Sequence, residues 1–447
     1  MKLRGVAAAL AVSGIVMSGA AFATDGYFAH GYGMKAKGMG GASTAVAQDA
    51  FGGANNPATM AFAGNQFAIG VDWFSPHRSA ERTGGGAFGL DGSVTSGSTN
   101  FFIPEFGLNY MVRPDLAIGL TVYGNGGMNT NYSGGQIPGA SACAGFNPGQ
   151  PSYNLLCGNG SLGVDLSQLI VAPTLAWKFL EGHSIGIAPL FAYQRFKAEG
   201  LQAFAGLSAT FNPGTGSNTS LTNNGYDSSS GWGVRVGYYG NLTKQIQIGA
   251  SYSSKISMGN LDKYSGLFAE SGGFDIPSNW SLGVAFRPTQ DWLLALDFMR
   301  INYNDVPSVH NPSSLILQCA GGNASTCLGG PNGAGFGWQS VNVFKLGAQY
   351  AVSQEWTVRA GYNYTQNPIQ PQDVTFNILA PGVVQNHVTL GATWTDKQNE
   401  VTGAFMYAFD NSVTGPSLFN SFIPGATMQE KISMYQWSFG LQYARKF

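Results

Sequence analysis

From about residue 65 onward the chain repeats one pattern: runs of about ten residues alternate large apolar groups with small or polar ones, separated by breaks. In Trp280-Ser281-Leu282-Gly283-Val284-Ala285-Phe286-Arg287 the large groups hold every second position. Trp232, Val234, Val236 and Tyr238 alternate with Gly233, Arg235 and Gly237. Phe344, Leu346, Ala348 and Tyr350 alternate with Val343, Lys345, Gly347 and Gln349, and Trp356, Val358, Ala360 and Tyr362 with Thr357, Arg359, Gly361 and Asn363. A period of two sends the two sets to opposite faces of a β-strand.

Alternation alone suits a soluble sandwich as well as a barrel in lipid. Length separates the two, because a tilted strand needs about 9–11 residues to cross a bilayer, whereas soluble strands average about 5–6. The breaks also come in two sizes, in turn. Short ones are Arg113-Pro114-Asp115, Glu181-Gly182-His183, Arg287-Pro288-Thr289-Gln290, Ser353-Gln354-Glu355 and Asp396-Lys397-Gln398-Asn399. Long ones lie near 75–100, 125–166, 197–229, 259–277, 303–338, 366–385 and 410–428. Short turns at one end and long loops at the other mark an outer-membrane barrel. Counting runs gives about 14 strands, starting near 66, 101, 115, 167, 184, 230, 245, 278, 291, 339, 355, 385, 400 and 429. The expected fold is all-β: a transmembrane antiparallel β-barrel over residues 65–447, closed because lipid cannot satisfy an open edge.

Composition and the chain's ends fit this reading. Charged residues are 10% of the chain, against about 25% in ordinary soluble domains. The formal net charge of −1 gives no basis for nucleic-acid binding. Lys2 and Arg4, an apolar stretch from Val6 to about Val16, and Ala21-Phe22-Ala23 read as a signal peptide over residues 1–23, with a mature start at Thr24. Tyr435, Trp437, Phe439, Leu441 and Tyr443 alternate toward a terminal Phe447, resembling the signal read by the outer-membrane assembly machinery. That machinery, outer-membrane lipid and lipopolysaccharide are the expected partners besides a hydrophobic small molecule.

Residues 24–64 break the alternation. The stretch from Gly38 to Ala50 is small and Gly/Ala-rich, and Asn56-Pro57-Ala58 follows, where Pro fixes φ for a sharp turn. The segment is too short for a separate large domain and too apolar for a solvated tail, so it is expected to fold into the lumen as a hatch. The Gly38–Ala50 run with Asn56-Pro57-Ala58 resembles the hatch of the FadL/TodX family of outer-membrane transporters. Ile248-Gly249-Ala250-Ser251-Tyr252-Ser253-Ser254-Lys255-Ile256 resembles a middle strand of that family. Arg359-Ala360-Gly361-Tyr362-Asn363-Tyr364, Asn367-Pro368-Ile369 and the strand from His387 to Trp394 resemble its late strands. The resemblance implies a hatch-plugged barrel of 14 strands that takes up long-chain fatty acids or, in some lineages, aromatic hydrocarbons. It also implies capture in an apolar outer site and ligand-triggered movement of the hatch, with a lateral exit in some accounts.

The residues themselves leave several roles open. Alternation sends Arg235, Lys255, Lys345 and Arg359 inward, where each could meet a substrate carboxylate or pair with acids of the hatch and loops. Tyr123, Phe146, Tyr153, Phe268 and Phe336 lie in or beside long loops and either line a substrate groove or form loop cores. Cys143 with Cys157, and Cys319 with Cys327, are expected to form disulfides within one loop each, since an exported chain meets an oxidising compartment. Zinc is the rival reading for these cysteines, but CxxC spacing is missing and only His310 is near. The five histidines, His30, His77, His183, His310 and His387, form no Ser-His-Asp or HExxH arrangement, so neither an enzyme, a metal nor a cofactor is expected. The expected function is uptake of hydrophobic molecules, long-chain fatty acids first and aromatic hydrocarbons second. A hydrophilic porin is the main rival; an adhesive barrel and a phospholipase-type barrel are further readings.

Overall fold

The computed structural model describes residues 25–447, so the signal peptide read over 1–23 lies outside the described residues. The wall consists of β1 (Gln66–Thr83), β2 (Phe101–Arg113), β3 (Leu116–Asn129), β4 (Gly163–Leu180), β5 (His183–Glu199), β6 (Asp227–Asn241), β7 (Ile246–Ser253), β8 (Asn279–Phe286), β9 (Trp292–Ile301), β10 (Val341–Ala351), β11 (Trp356–Thr365), β12 (Asn386–Asp396), β13 (Asn399–Pro416) and β14 (Gln429–Lys446). Each strand runs antiparallel to its sequence neighbours. β14 returns to β1 in unbroken register, from Gln66↔Lys446 to Thr83↔Gln429, and the sheet closes as a 14-strand barrel.

The period of two sorts residues as lipid demands. Leu282, Val284 and Phe286 are 53%, 46% and 40% exposed, while Ala285 between them is buried. Large apolar groups point out and small ones point in, the reverse of a soluble sheet. Tyr110, Trp177, Trp292, Tyr350, Trp356, Trp394 and Tyr443 face outward near the short turns, where amphipathic rings form the belt at a membrane interface.

The strands are less uniform than the sequence pattern suggests. β7 and β8 have 8 residues each, while β1, β4, β13 and β14 have 18. Four loops read from sequence are therefore partly strand: 75–100 is strand as far as Thr83, 125–166 as far as Asn129 and again from Gly163, 197–229 as far as Glu199 and again from Asp227, and 410–428 as far as Pro416. Ser75-Pro76-His77-Arg78 looks like loop because the apolar alternation stops there. The backbone ladder nonetheless continues, since strand beyond the lipid band no longer needs an apolar outer face.

Residues 25–64 lie inside the barrel and are mostly buried. The long loops fold over the other end and share one apolar core with the upper strands. Cys143–Cys157 and Cys319–Cys327 are bonded, each within one loop, with Cα–Cα distances of 5.0 and 4.7 Å. Those spacings are ordinary for cystines.

Candidate functional site

The segment inside the lumen has little secondary structure of its own: one helical turn, α1 (Met34–Lys37), and a 3-10 turn over Pro57–Phe62. Its backbone groups must therefore find partners elsewhere, since buried donors left unpaired are costly. Inward-facing wall side chains supply many of them. Glu105 accepts from the Gly33 amide, Gln442 from Met34, Thr389 from Gly40, and Asp297 from both Ser43 and Thr44, at 2.8–3.2 Å. In the other direction Thr121 donates to the Ala50 carbonyl, Ser184 to Ala58, and Asn109 to Met60 and Gly64. Gly41 takes φ +84° where a Cβ would strike the His30 carbonyl, so this turn requires glycine.

Buried ion pairs add to these ties. Lys35 of α1 meets Glu400 of β13 at 2.5 Å, and Lys37 meets Asp72 of β1 at 2.8 Å and Glu105 of β2 at 3.7 Å. Asn56 is fully buried. It caps the Pro57–Phe62 turn through its side-chain oxygen, which accepts from Ala58 at 3.1 Å. Its amide donates to the carbonyls of Thr44 and Tyr238, so Asn56-Pro57-Ala58 ties two parts of the segment to β6.

The four cations singled out from sequence are already engaged. Arg235 donates to the Gly53 and Ala54 carbonyls and to the Tyr123 hydroxyl. Lys345 donates to the His30 carbonyl at 2.8 Å and lies 3.7 Å from Asp25. Arg359 donates to Gln349 and Thr393 of the wall. Lys255 does not face the lumen: β7 ends at Ser253, so the alternation that assigned it inward has stopped. Its side chain, 41% exposed, pairs with Asp275.

The wall itself has a window. β2 pairs with β3 only as far as Phe106↔Val122. Above that pair, Phe101–Glu105 stay with β1, while Tyr123–Asn129 stay with β4 through a bulge at Asn125. Beyond the strand ends the two segments meet again, where the Gly97 amide donates to the Asn131 carbonyl and the Asn131 amide donates to the Ser96 hydroxyl. Residues 25–29 cover the edge of β3 that β2 leaves free. Ala29 donates to the Asn125 carbonyl at 3.3 Å, and Gly127 donates to the Tyr27 carbonyl at 3.2 Å. A Cβ at Gly126 would collide with that Tyr27 carbonyl, so the approach depends on glycine. Tyr27 also packs against Tyr303 and Trp338, with ring centroids 5.4 and 6.0 Å away.

Above the window the loops enclose a cavity with about 490 Å³ of empty space, its mouth included. Phe196, Phe204, Phe268, Phe336, Phe376 and Leu379 are among its walls. Its one side-chain hydroxyl, Ser308, is already used in donating to the Gly273 carbonyl. Leu156 and Leu328, each next to a cystine residue, also line it, so both disulfides hold part of its wall. Of the five loop aromatics noted from sequence, Phe268 and Phe336 line this cavity. Phe146 packs on Phe419 and Phe422, Tyr153 lies in the loop core, and Tyr123 sits in the lumen against Tyr32 and Arg235. An enclosure of this composition suits apolar molecules and has little with which to replace the water of a hydrophilic solute.

A family model described as outer membrane protein transport protein (OMPP1/FadL/TodX) matches residues 152–447. No curated protein matches the chain. Among solved structures, the toluene transporter TodX of P. putida aligns with a TM-score of 0.66 at 19% identity, over 94% of this chain and 99% of its own. A FadL homologue of Pseudomonas aeruginosa gives 0.66 at 16% identity, over 94% and 100%, and the toluene transporter TbuX of Ralstonia pickettii gives 0.61 at 17%, over 94% and 99%. At these identities the likeness to solved structures establishes the fold.

Proposed function

The chain belongs to the OMPP1/FadL/TodX family of outer-membrane transport proteins, and from that premise we propose that the hydrophobic compounds it takes up are chiefly long-chain fatty acids. The observation that carries the proposal is the vertical order of three features. An apolar cavity lies under the loops, a window in the wall lies below it, and residues 25–29 lie across the window's edge. A ligand enters the outer cavity, where each methylene removed from water gains about 0.8 kcal/mol. It then passes inward once residues 25–29 leave β3, and the window gives it a route through the wall without crossing the buried ion pairs below.

Aromatic hydrocarbons form a second reading. The ring-rich lining of the outer cavity suits them, and two of the similar solved structures are described as toluene transporters. A deletion strain is expected to lose uptake of labelled oleate, and the cloned gene to restore it. Loss of toluene uptake with oleate untouched selects the second reading. Loss of sugar uptake alone replaces both with a porin.

A further inference from the structure

The lipid-facing surface of the wall does not end in the same way at every strand. Tyr193, Trp232, Tyr252, Tyr362 and Tyr435 face outward toward the loop end and are 37–71% exposed. They form a second aromatic belt, which marks the outer interface of the membrane. On β5 the outward series runs Ile187, Pro189, Phe191 and Tyr193, and then changes to Arg195 and Lys197. A period of two keeps both cations on the outer face, just beyond the hydrocarbon, at the level of the outer leaflet's headgroups.

An aromatic platform holds these cations. Tyr226 directly precedes β6. The Arg195 guanidinium carbon lies 4.2 Å from its ring centroid, and the Lys197 Nζ 5.5 Å. The Tyr226 hydroxyl donates to Asp165 of β4 at 2.5 Å, which fixes the ring. Its carbonyl accepts from the Lys263 Nζ at 2.7 Å, so a third cation reaches the same place. Opposite Arg195 and Tyr193 on β6 stand Ser228 and Ser230, both exposed. A guanidinium, two ammonium groups and hydroxyls around one point form the donor set that phosphate oxygens accept.

Three acids share the cluster, and each is occupied. Asp165 is buried under the Tyr226 hydroxyl, and Asp227 accepts from the amides of Ser228 and Lys263. Glu199 pairs with Lys197 at 3.1 Å, but the two side chains are 42% and 30% exposed, and an exposed pair of this kind holds its lysine weakly. Other outward cations at this rim lack such a setting. Arg300 stands alone on β9 and donates to Asn342, and Lys431 of β14 lies opposite the acid Glu81.

We propose that Arg195, Lys197 and Lys263 bind a phosphate of lipopolysaccharide, the phosphorylated glycolipid of the outer leaflet, with Tyr226 as the platform that positions them. The lipid's acyl chains then run down the wall over Phe191 and Trp232, a cross-strand pair 55% and 71% exposed. This contact lies on the outside of β4–β6, apart from the loop cavity and from the window between β2 and β3.

Native mass spectrometry of delipidated protein in detergent, titrated with diphosphoryl lipid A and with the same lipid after removal of its phosphates, tests the proposal. Wild type is expected to bind the phosphorylated lipid about tenfold more tightly, the worth of a hydrogen bond to a charged group. The double variant Arg195→Gln/Lys197→Gln should lose that preference, and Tyr226→Leu should weaken it. Lys178→Gln, which removes a cation standing over Phe62 at the opposite end of the wall, should keep it. Heat-modifiable gel migration shows that each variant is folded. Equal binding of the two lipids by wild type, or a preference that survives in the double variant, overturns the site. Equal binding of phosphatidylglycerol, or displacement of lipid A by inorganic phosphate at the same concentration, also overturns it, because either marks a general anion site.

Discussion

The two ends of the lumen are built from opposite chemistry. At the end nearer the short turns, wall and plug segment meet through charge and hydrogen bonds: Lys35–Glu400, Lys37–Asp72, Lys345–Asp25, and Asp297 on the amides of Ser43 and Thr44. At the outer end, phenylalanines and leucines of five loops enclose space whose one side-chain hydroxyl is already satisfied. A chain with only 10% charged residues thus uses much of its inward charge to hold the plug. The ligand's entry is left apolar. Of the cations that look in sequence like substrate contacts, Arg235 and Lys345 fasten the plug, Arg359 ties strands of the wall together, and Lys255 pairs with Asp275 outside the lumen.

Removing one region altogether should have the largest effect. Deleting residues 25–64 is expected to leave a barrel that assembles but conducts far more in planar bilayers. Unchanged conductance would mean that the loop core closes the pore alone, and the division between the two ends would be lost. Breaking a single fastener comes next. Lys37→Ala leaves Asp72 and Glu105 buried without a cation, a change that typically costs about 3–5 kcal/mol. Loosened packing of residues 25–64, read as faster proteolysis within the intact barrel, is the expected result. Lys37→Met tests the same site without the cavity and should be as damaging, because the two carboxylates remain.

A change at the apolar end should act on ligand and spare the plug. Phe336→Ala is expected to weaken oleate retention by about 1.5–3 kcal/mol, the worth of one buried large apolar side chain, with proteolysis of residues 25–64 unchanged. An equal loss of plug protection would show that the two ends are not independent.

The smallest effect concerns pH. Burial pushes the Asp25 carboxyl up to about 6, with Lys345 pulling it the other way. The folded chain then holds this proton more tightly than an unfolded one. The stability of the anchoring falls as pH rises from the ordinary carboxylate value to about 6, and is flat above. Amide exchange at Tyr27 and Ala29, corrected for intrinsic rates, should reveal easier opening at pH 7 than at pH 5. Protection independent of pH would remove Asp25 from the anchoring of residues 25–29.

What the sequence by itself determined is whatever lipid imposes locally. A lipid-facing wall repeats every two residues, so the strands around Trp280–Phe286 and Phe344–Tyr350, the sorted loops and the strand number were legible without coordinates. Nearness along the chain likewise made the pairing of Cys143 with Cys157 and of Cys319 with Cys327 legible. The inside follows no such period. Lys37 finds Asp72, Lys35 finds Glu400 and Tyr27 packs on Trp338 only because closure of the barrel brings distant segments to one lumen. The same closure leaves β2 and β3 apart above Phe106. Register between strands at opposite ends of a chain, such as β1 and β14, is set by tertiary packing, not by local pattern.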